Sequence, residues 1–93
     1  MDITYDPAKN ERNITERGLS LEHAGDFDFI TALRSIDVRR DYGEVRHVAV
    51  GHLDGHLHVL CFVEAASGVR VISFRRANSR ERKRYEAAQT AHR

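Results

Sequence analysis

The sequence of 93 residues has no tryptophan and contains a single cysteine, proline and methionine. One cysteine excludes an internal disulfide framework and a cysteine-based zinc site, and the apolar segment around Cys61 predicts a buried, unreactive thiol. Long apolar runs are also missing. The longest uncharged one is Leu57 to Val63, whereas a membrane helix needs roughly 18 residues, and no apolar segment follows a basic N-terminus. We therefore expect a single cytoplasmic domain over residues 1–93.

Lysine is scarce, because the 15 basic residues are 13 arginines and 2 lysines, against 14 acidic residues. The charge is also unevenly distributed. Residues 1–69 carry 7 basic and 12 acidic side chains (net −5), whereas residues 70–93 carry 8 and 2 (net +6). Arginine suits bidentate contact with phosphate, while lysine is more common on a merely solvated surface. The basic C-terminal quarter therefore predicts a partner that carries phosphate.

The N-terminal third has signals for one strand and two helices. A strand over Asp2 to Tyr5 precedes a helix over Pro7 to about Arg17, with Asp6 as its cap and proline at the first helical position. Gly18 supplies the left-handed residue that closes such helices. A shorter helix is expected over Leu21 to about Asp26.

The centre of the chain predicts a hairpin. Val45 to Leu53 and His56 to Glu64 flank Asp54-Gly55, which tolerates the positive φ angles of a two-residue turn. This turn sets Leu53 opposite His56. We expect the core face to be the one that carries Val50 with Val59, Val48 with Cys61 and Arg46 with Val63. The other face carries Leu53 with His56, Gly51 with His58, Ala49 with Leu60 and His47 with Phe62.

A third strand and a last helix are expected after the hairpin. If Ala65 to Gly68 forms a turn, Val69 to Arg75 returns antiparallel, with Ile72 and Phe74 on the core face beside Val59 and Cys61. Ser73 and Arg75 then lie on the other face, beside Leu60 and His58. Asn78 and Glu81 have the spacing of a capping box for a helix over Ser79 to about Thr90. The fold class is α+β: an antiparallel sheet of four or five strands, with two N-terminal helices on one face and one C-terminal helix.

Three segments in series carry a family resemblance. They are Asp6-Pro-Ala-Lys9-Asn-Glu-Arg-Asn13 leading to Gly18, Glu44-Val-Arg46, and Arg70-Val-Ile-Ser73-Phe-Arg75-Arg-Ala77 with Glu81 and Tyr85. Together, from Ile3 to about Tyr85, they resemble the BrnT family of toxins, the ribonuclease half of type II toxin–antitoxin pairs with a RelE-like fold. The chain has Glu16-Arg17-Gly18 where that family often has Lys-His-Gly, so a role for the histidine cannot be transferred to Arg17.

The resemblance implies an endoribonuclease that needs no metal or other cofactor and inhibits translation and growth. The ribose 2′-hydroxyl would attack the adjacent phosphate of single-stranded RNA and leave a cyclic phosphate. It also implies a cognate antitoxin with a ribbon-helix-helix DNA-binding domain, which alone would contact operator DNA; no membrane partner is expected.

Cleavage of this kind needs a base, an acid and a cation for the charge that builds on the phosphoryl oxygens. Arg75 is the first candidate for the cation, with Arg46 or Arg76 second. The acid and base remain open among Glu44, His58, Lys9 and Tyr85. The RNA-binding candidates are Arg46, Arg70, Ser73, Arg76 and Arg80.

Other readings of these residues remain open. Arg46 and Arg70 are equally consistent with structural ion pairs to Asp6 or Glu44. The arginine-rich surface also suits a non-catalytic module that binds RNA or protein. His56 and His58 share a strand face, as metal ligands can, but His47 would lie about 13 Å or more further along the sheet. We therefore expect no metal site.

Overall fold

The computed structural model describes residues 1–91 and contains eight elements there, all of them predicted above except the second strand. They are β1 (Asp2–Tyr5), α1 (Pro7–Arg17), a 3₁₀ helix (Leu21–Asp26), β2 (Leu33–Ile36), β3 (His47–Leu53), β4 (His56–Ala65), β5 (Gly68–Arg76) and α2 (Ser79–Ala91). The predicted caps are confirmed: Asp6 accepts a hydrogen bond from the Ala8 amide at 2.9 Å, and Gly18 has a φ of 65°. None of these helices is long and apolar enough to cross a membrane.

The five strands form one sheet in the order β1-β5-β4-β3-β2. Three of the four strand pairs are antiparallel, but β1 runs parallel to β5, with Ile3 opposite Val69 and Tyr5 opposite Val71. The α+β class is confirmed, whereas a purely antiparallel sheet is wrong at this edge. A parallel neighbour becomes possible because the whole β2–β4 segment separates the two strands in sequence and brings the chain back beside its start.

The hairpin between β3 and β4 has the predicted register. Leu53 pairs with His56 across the turn, and Val50 pairs with Val59 further along the ladder. Asp54 and Gly55 have φ angles of 50° and 79°, as a type I′ turn requires.

The predicted core face, by contrast, is wrong. The buried core contains Ala49, Leu53, Leu60, Phe62 and Phe74, together with Leu21, Ala24 and Phe27 from the chain before β2. Leucine and phenylalanine bury more apolar area than the valines of the other face. Gly51 also leaves room for a ring, because a Cβ there would lie 2.7 Å from the Phe27 Cζ atom. The valine-rich surface opposite this core is called the open face below.

A β-bulge in β5 explains the second difference. The predicted pairing holds from Ala65–Gly68 to Phe62–Val71, and the register then shifts by one residue between Cys61 and Phe62. Ile72 is the extra residue, and beyond it Ser73 pairs with Cys61, Phe74 with Leu60 and Arg75 with Val59. The predicted neighbours, Leu60 for Ser73 and His58 for Arg75, are therefore wrong. Since the core face was also inverted, the two errors cancel: Phe74 is buried, and Ser73 and Arg75 lie on the open face.

α1 covers the part of the β5 edge that β1 leaves unpaired. β1 ends opposite Val71, and beyond that point α1 lies along the edge of β5, where the Asn13 side chain donates to the Phe74 carbonyl at 3.1 Å. The predicted capping box of α2 is confirmed, since the Glu81 amide donates to Asn78 Oδ1 at 2.8 Å and the Asn78 amide donates to Glu81 Oε1 at 2.9 Å. The start of α2 is thus fixed next to the end of β5.

Candidate active site

A groove of about 510 Å³ runs over the open face. Its floor is apolar and includes Val48, Val59 and half-buried Cys61. Polar side chains from β5 and α2 line one side, and the loop between β2 and β3 lines the other. The polar residues of the lining are Ser35, Asp37, Arg39, Tyr42, Arg46, Ser73, Arg75 and Glu81. Three of these are arginines and two are carboxylates, so the groove combines an apolar floor with walls that carry charges of both signs.

Arg75 is held in the groove by Glu81. Its two terminal nitrogens donate to the two carboxylate oxygens of Glu81, each at 2.8 Å. This bidentate pair lowers the pKa of Glu81 to about 2 and raises the pKa of Arg75. Because the capping box fixes Glu81, the geometry of a helix start determines where the Arg75 guanidinium lies.

The loop before β3 presents two further arginines to the groove, Arg39 and Arg46. Asp37 accepts hydrogen bonds from the Arg39 side chain at 2.8 and 2.9 Å and from the Tyr42 hydroxyl at 3.0 Å. These bonds, the Arg39 bonds above all, keep the pKa of the Asp37 carboxyl well below its usual range. The Arg46 guanidinium lies 4.0 Å from the centre of the Tyr42 ring, a cation–π contact.

Glu44 joins two basic side chains at the edge of the same surface. It accepts hydrogen bonds from Arg46 Nε at 3.3 Å and from Arg70, which confirms that Glu44 forms ion pairs with both arginines. Arg70 first, and then Arg46, lower the pKa of Glu44. Glu44 is therefore ionised at neutral pH and is a weak base.

Lys9 and Ser73 line the same hollow beside the groove. This hollow of about 220 Å³ lies between α1 and β5, and Lys9 is exposed.

Cys61 of the groove floor is half-buried rather than fully buried, and burial raises the pKa of its thiol. It is therefore protonated at neutral pH and poorly nucleophilic.

His58 lies on the core face, opposite the Arg75 side chain. It is buried against Phe74, its Nδ1 donates to the His56 carbonyl at 2.8 Å, and burial lowers its pKa. Arg76 pairs with His58 across the ladder and donates to His56 Nδ1 at 3.3 Å. The expectation that His58 shares a face with Arg75 and Ser73 is wrong because it ignored the bulge at Ile72.

Two further candidates lie outside the groove. Tyr85 is only 5% exposed, donates its hydroxyl to the Thr31 carbonyl at 3.2 Å and packs its ring against His52. Arg80 lies exposed on the first turn of α2. Within residues 1–91, no three histidine, cysteine or acidic side chains come together as metal ligands.

Sequence reasoning missed the contribution of the β2–β3 loop. Asp37, Arg39 and Tyr42 were not among the candidates, although an aspartate side chain often accepts a hydrogen bond from the backbone amide two residues on, as Asp37 does from Arg39 at 3.1 Å. It also treated Glu81 as a helix cap without connecting it to Arg75. No local pattern joins those two residues, because their contact depends on how the chain turns between β5 and α2.

A comparison with protein-family models identifies the family of the chain. The model described as "Ribonuclease toxin, BrnT, of type II toxin-antitoxin system" matches residues 5–81. The chain belongs to the BrnT family. Membership implies an RNA target and a protein antitoxin as partner. The BrnT match includes Lys9, Glu44, Arg46, Arg75 and Glu81, and it ends before Tyr85. No curated protein matches the chain.

Proposed function

We propose that this BrnT protein is a metal-independent endoribonuclease with a RelE-like fold, and that RNA binds in the groove of the open face. The observation that carries the proposal is the Arg75–Glu81 pair at the wall of that groove, next to Ser73 and across from Arg46. An ordered guanidinium with a second arginine across the groove suits the two free oxygens of a phosphodiester. The apolar floor suits the face of a nucleobase.

The proposed reaction is an intramolecular transfer at phosphorus. A base removes the proton of the 2′-hydroxyl, the oxygen attacks phosphorus, and the 5′-oxygen leaves with a proton, giving a 2′,3′-cyclic phosphate and a 5′-hydroxyl. Arg75 stabilises the charge on the phosphoryl oxygens, and Arg46, Arg70 and Ser73 bind neighbouring parts of the RNA. We retain Glu44 and Lys9 as acid–base candidates, because both border the open face. His58 and Tyr85 are not retained, because both are buried away from this groove.

The rival function is a non-catalytic RNA-binding module. It is favoured by the state of the carboxylates around the groove, since Asp37, Glu44 and Glu81 are all paired with arginine and all have lowered pKa values. None of the three is a strong base at neutral pH. Such a module binds RNA in a salt-dependent manner and leaves it intact.

The proposed antitoxin carries a ribbon-helix-helix domain and contacts operator DNA itself, with the toxin attached. Exposed apolar residues beside the arginine-rich groove support a partner with both acidic and apolar side chains. Val38 is 83% exposed and Val45 is 59% exposed, close to Arg39 and Arg46. Occupation of this surface by the antitoxin would exclude RNA from the groove.

The test is substitution of Arg75. Arg75→Ala should lower RNA cleavage by at least a hundredfold in buffer containing EDTA and relieve growth arrest, because removal of one preorganised charge stabiliser typically costs about 10²–10³ in rate. Lys83→Ala removes the same charge from an exposed position of α2 and is the control. Circular dichroism must show both variants folded. Equal toxicity and cleavage by a folded Arg75→Ala variant would contradict the site assignment.

A further inference from the structure

A second basic cleft lies beyond the end of the groove. It has a volume of about 490 Å³ and is lined by Arg17, Gly18, Leu19, His58, Arg75 and Arg76. It is called the Arg17–Arg76 cleft below. Three of the six lining residues are arginines and none is acidic. Neither Arg17 nor Arg76 forms an ion pair with a carboxylate within residues 1–91. The cleft therefore carries positive charge that the rest of the described chain does not neutralise.

The two arginines that flank this cleft are held by contacts with groups other than carboxylates. The Arg17 guanidinium donates to the Asn13 Oδ1 atom at 2.8 Å and to the Phe74 carbonyl at 3.4 Å. Arg76 contacts His56 Nδ1 at 3.3 Å. Each guanidinium has five N–H donors, so donors remain for a ligand. Because none of these partners is a carboxylate, they position the two side chains without cancelling their charge.

Arg75 connects the cleft to the groove, because it lines both. Consecutive residues of a strand point to opposite faces, so Arg75 points to the open face and Arg76 to the other side. β1 no longer pairs with β5 at this point, since its last pair is Tyr5 with Val71. A basic path thus runs from the open face around the end of β5 to the Arg17–Arg76 cleft.

We propose that the Arg17–Arg76 cleft binds a second backbone phosphate of the same single-stranded RNA, one that flanks the phosphate at Arg75. This inference rests on the proposed function and extends it to the length of RNA that the protein holds. The cleft contributes binding and not chemistry. It consequently favours substrates that are long enough to pass around the end of β5.

The first experiment measures binding. Arg17→Ala/Arg76→Ala should weaken binding of a short fluorescent 2′-O-methylated oligouridylate at least fivefold. Affinity should also become less sensitive to salt. The negative slope of log affinity against log salt should become shallower by about 0.7, the value for one phosphate contact on a single strand. The control is Arg40→Ala/Lys83→Ala, which loses the same charge from two exposed positions. Affinity and slope equal to those of the control would overturn the inference.

The second experiment separates this site from the catalytic one. A dinucleotide contains only the scissile phosphate, so its cleavage by the single variant Arg17→Ala should equal that of the wild type, whereas KM for a longer RNA should rise at least fivefold. Equal losses on both substrates would contradict a flanking site. If the wild type cleaves neither substrate, the proposed function fails. The binding experiment then still tests whether the Arg17–Arg76 cleft binds an RNA phosphate.

Folding of the variants is checked independently. Asn13 still donates to the Phe74 carbonyl after Arg17 is removed, and Arg76 is exposed, so we expect the double variant to fold. If it does not, Arg76→Ala alone serves, with Arg76→Lys as the variant that should recover most of the affinity. Failure of Arg76→Lys to bind better than Arg76→Ala would overturn the role of charge at this position.

Discussion

At the scale of single residues, Glu81 has two effects on Arg75. It orients the guanidinium, and its negative charge offsets the positive charge that a phosphate would meet. We predict that Glu81→Gln strengthens RNA binding, because a negative charge next to the phosphate is removed, and lowers kcat, because the bidentate pair that orients Arg75 is lost. The glutamine oxygen can still accept the Asn78 amide, so the helix cap remains. Steady-state kinetics and anisotropy on the variant check both effects. Glu86→Gln, an exposed carboxylate on the same helix, should change neither; parallel changes in the two variants would argue against a specific role.

The same pair predicts an acid dependence of stability. The pKa of Glu81 is lowered from 4.5 to about 2 in the folded state, so the pair stabilises the fold fully above pH 4.5. That contribution declines as the pH falls from 4.5 and is lost near pH 2. Urea unfolding of wild type and Glu81→Gln over this range should give a stability difference that shrinks with acid. A difference independent of pH would contradict the assignment.

Asn13 connects α1 to the rest of the fold. It is buried, donates to the carbonyls of Leu19 and Phe74 at 2.8 and 3.1 Å, and accepts from Arg17. We predict that Asn13→Ala lowers the free energy of unfolding by about 1–3 kcal/mol, because two carbonyls lose a donor. Urea unfolding measures the change, with exposed Thr15→Ala on the same helix as control. A loss no larger than that of the control would show that these bonds contribute little.

At the scale of elements, the sequence predicts the features that depend on a few neighbouring residues. It does not predict those that depend on contacts between distant parts of the chain. The Asp6 cap, the Asp54-Gly55 turn and the Asn78–Glu81 capping box each depend on adjacent side-chain and backbone groups, so their patterns identify them. The core face of β3 and β4 depends on Phe27 and Leu21 packing from elsewhere in the chain. Alternating apolar residues occur on both faces here, and pattern alone therefore cannot select one.

The bulge at Ile72 had no sequence signal either. No glycine marks it, and the turn at Ala65 to Gly68 sets a register that holds only as far as Val71. The bulge nevertheless determines the site, because it gives Phe74 to the core and Arg75 to the open face. The arginines of the site, and Glu44 as a partner of Arg46 and Arg70, were thus identifiable from the sequence and the resemblance. The Glu81 partner of Arg75 was not, and Arg75 was placed on the correct face only because two errors cancelled.

The parallel edge gives a prediction about β1. A Cβ on Gly68 would lie 1.9 Å from the Asp2 carbonyl oxygen and 2.6 Å from the Asp2 nitrogen, both backbone atoms. Gly68→Ala should therefore displace β1 and lower the unfolding midpoint in urea. Gly25→Ala is the matched control, since its Cβ would meet only Ile3 Cγ1, at 3.7 Å. Equal stability of the two variants would contradict the close pairing of β1 with β5.

At the scale of the whole molecule, the near-neutral net charge conceals an uneven distribution of charge over the folded surface. The formal net charge is +1, yet arginines line both the groove and the Arg17–Arg76 cleft. Around the groove they are balanced by Asp37, Glu44 and Glu81. In the cleft, Arg17 and Arg76 have no such carboxylate partner within residues 1–91. We therefore attribute the proposed phosphate binding to local, ordered arginines and not to overall charge.

The central claim is that the protein cleaves RNA through the 2′-hydroxyl without a metal ion. The most direct measurement incubates purified protein with single-stranded RNA in EDTA and analyses the product ends by mass spectrometry, with a 2′-O-methylated RNA in parallel. The account predicts 2′,3′-cyclic phosphate and 5′-hydroxyl ends from the unmodified RNA, and intact methylated RNA. Cleavage of the methylated RNA, or binding of unmodified RNA with no cleavage, would contradict it.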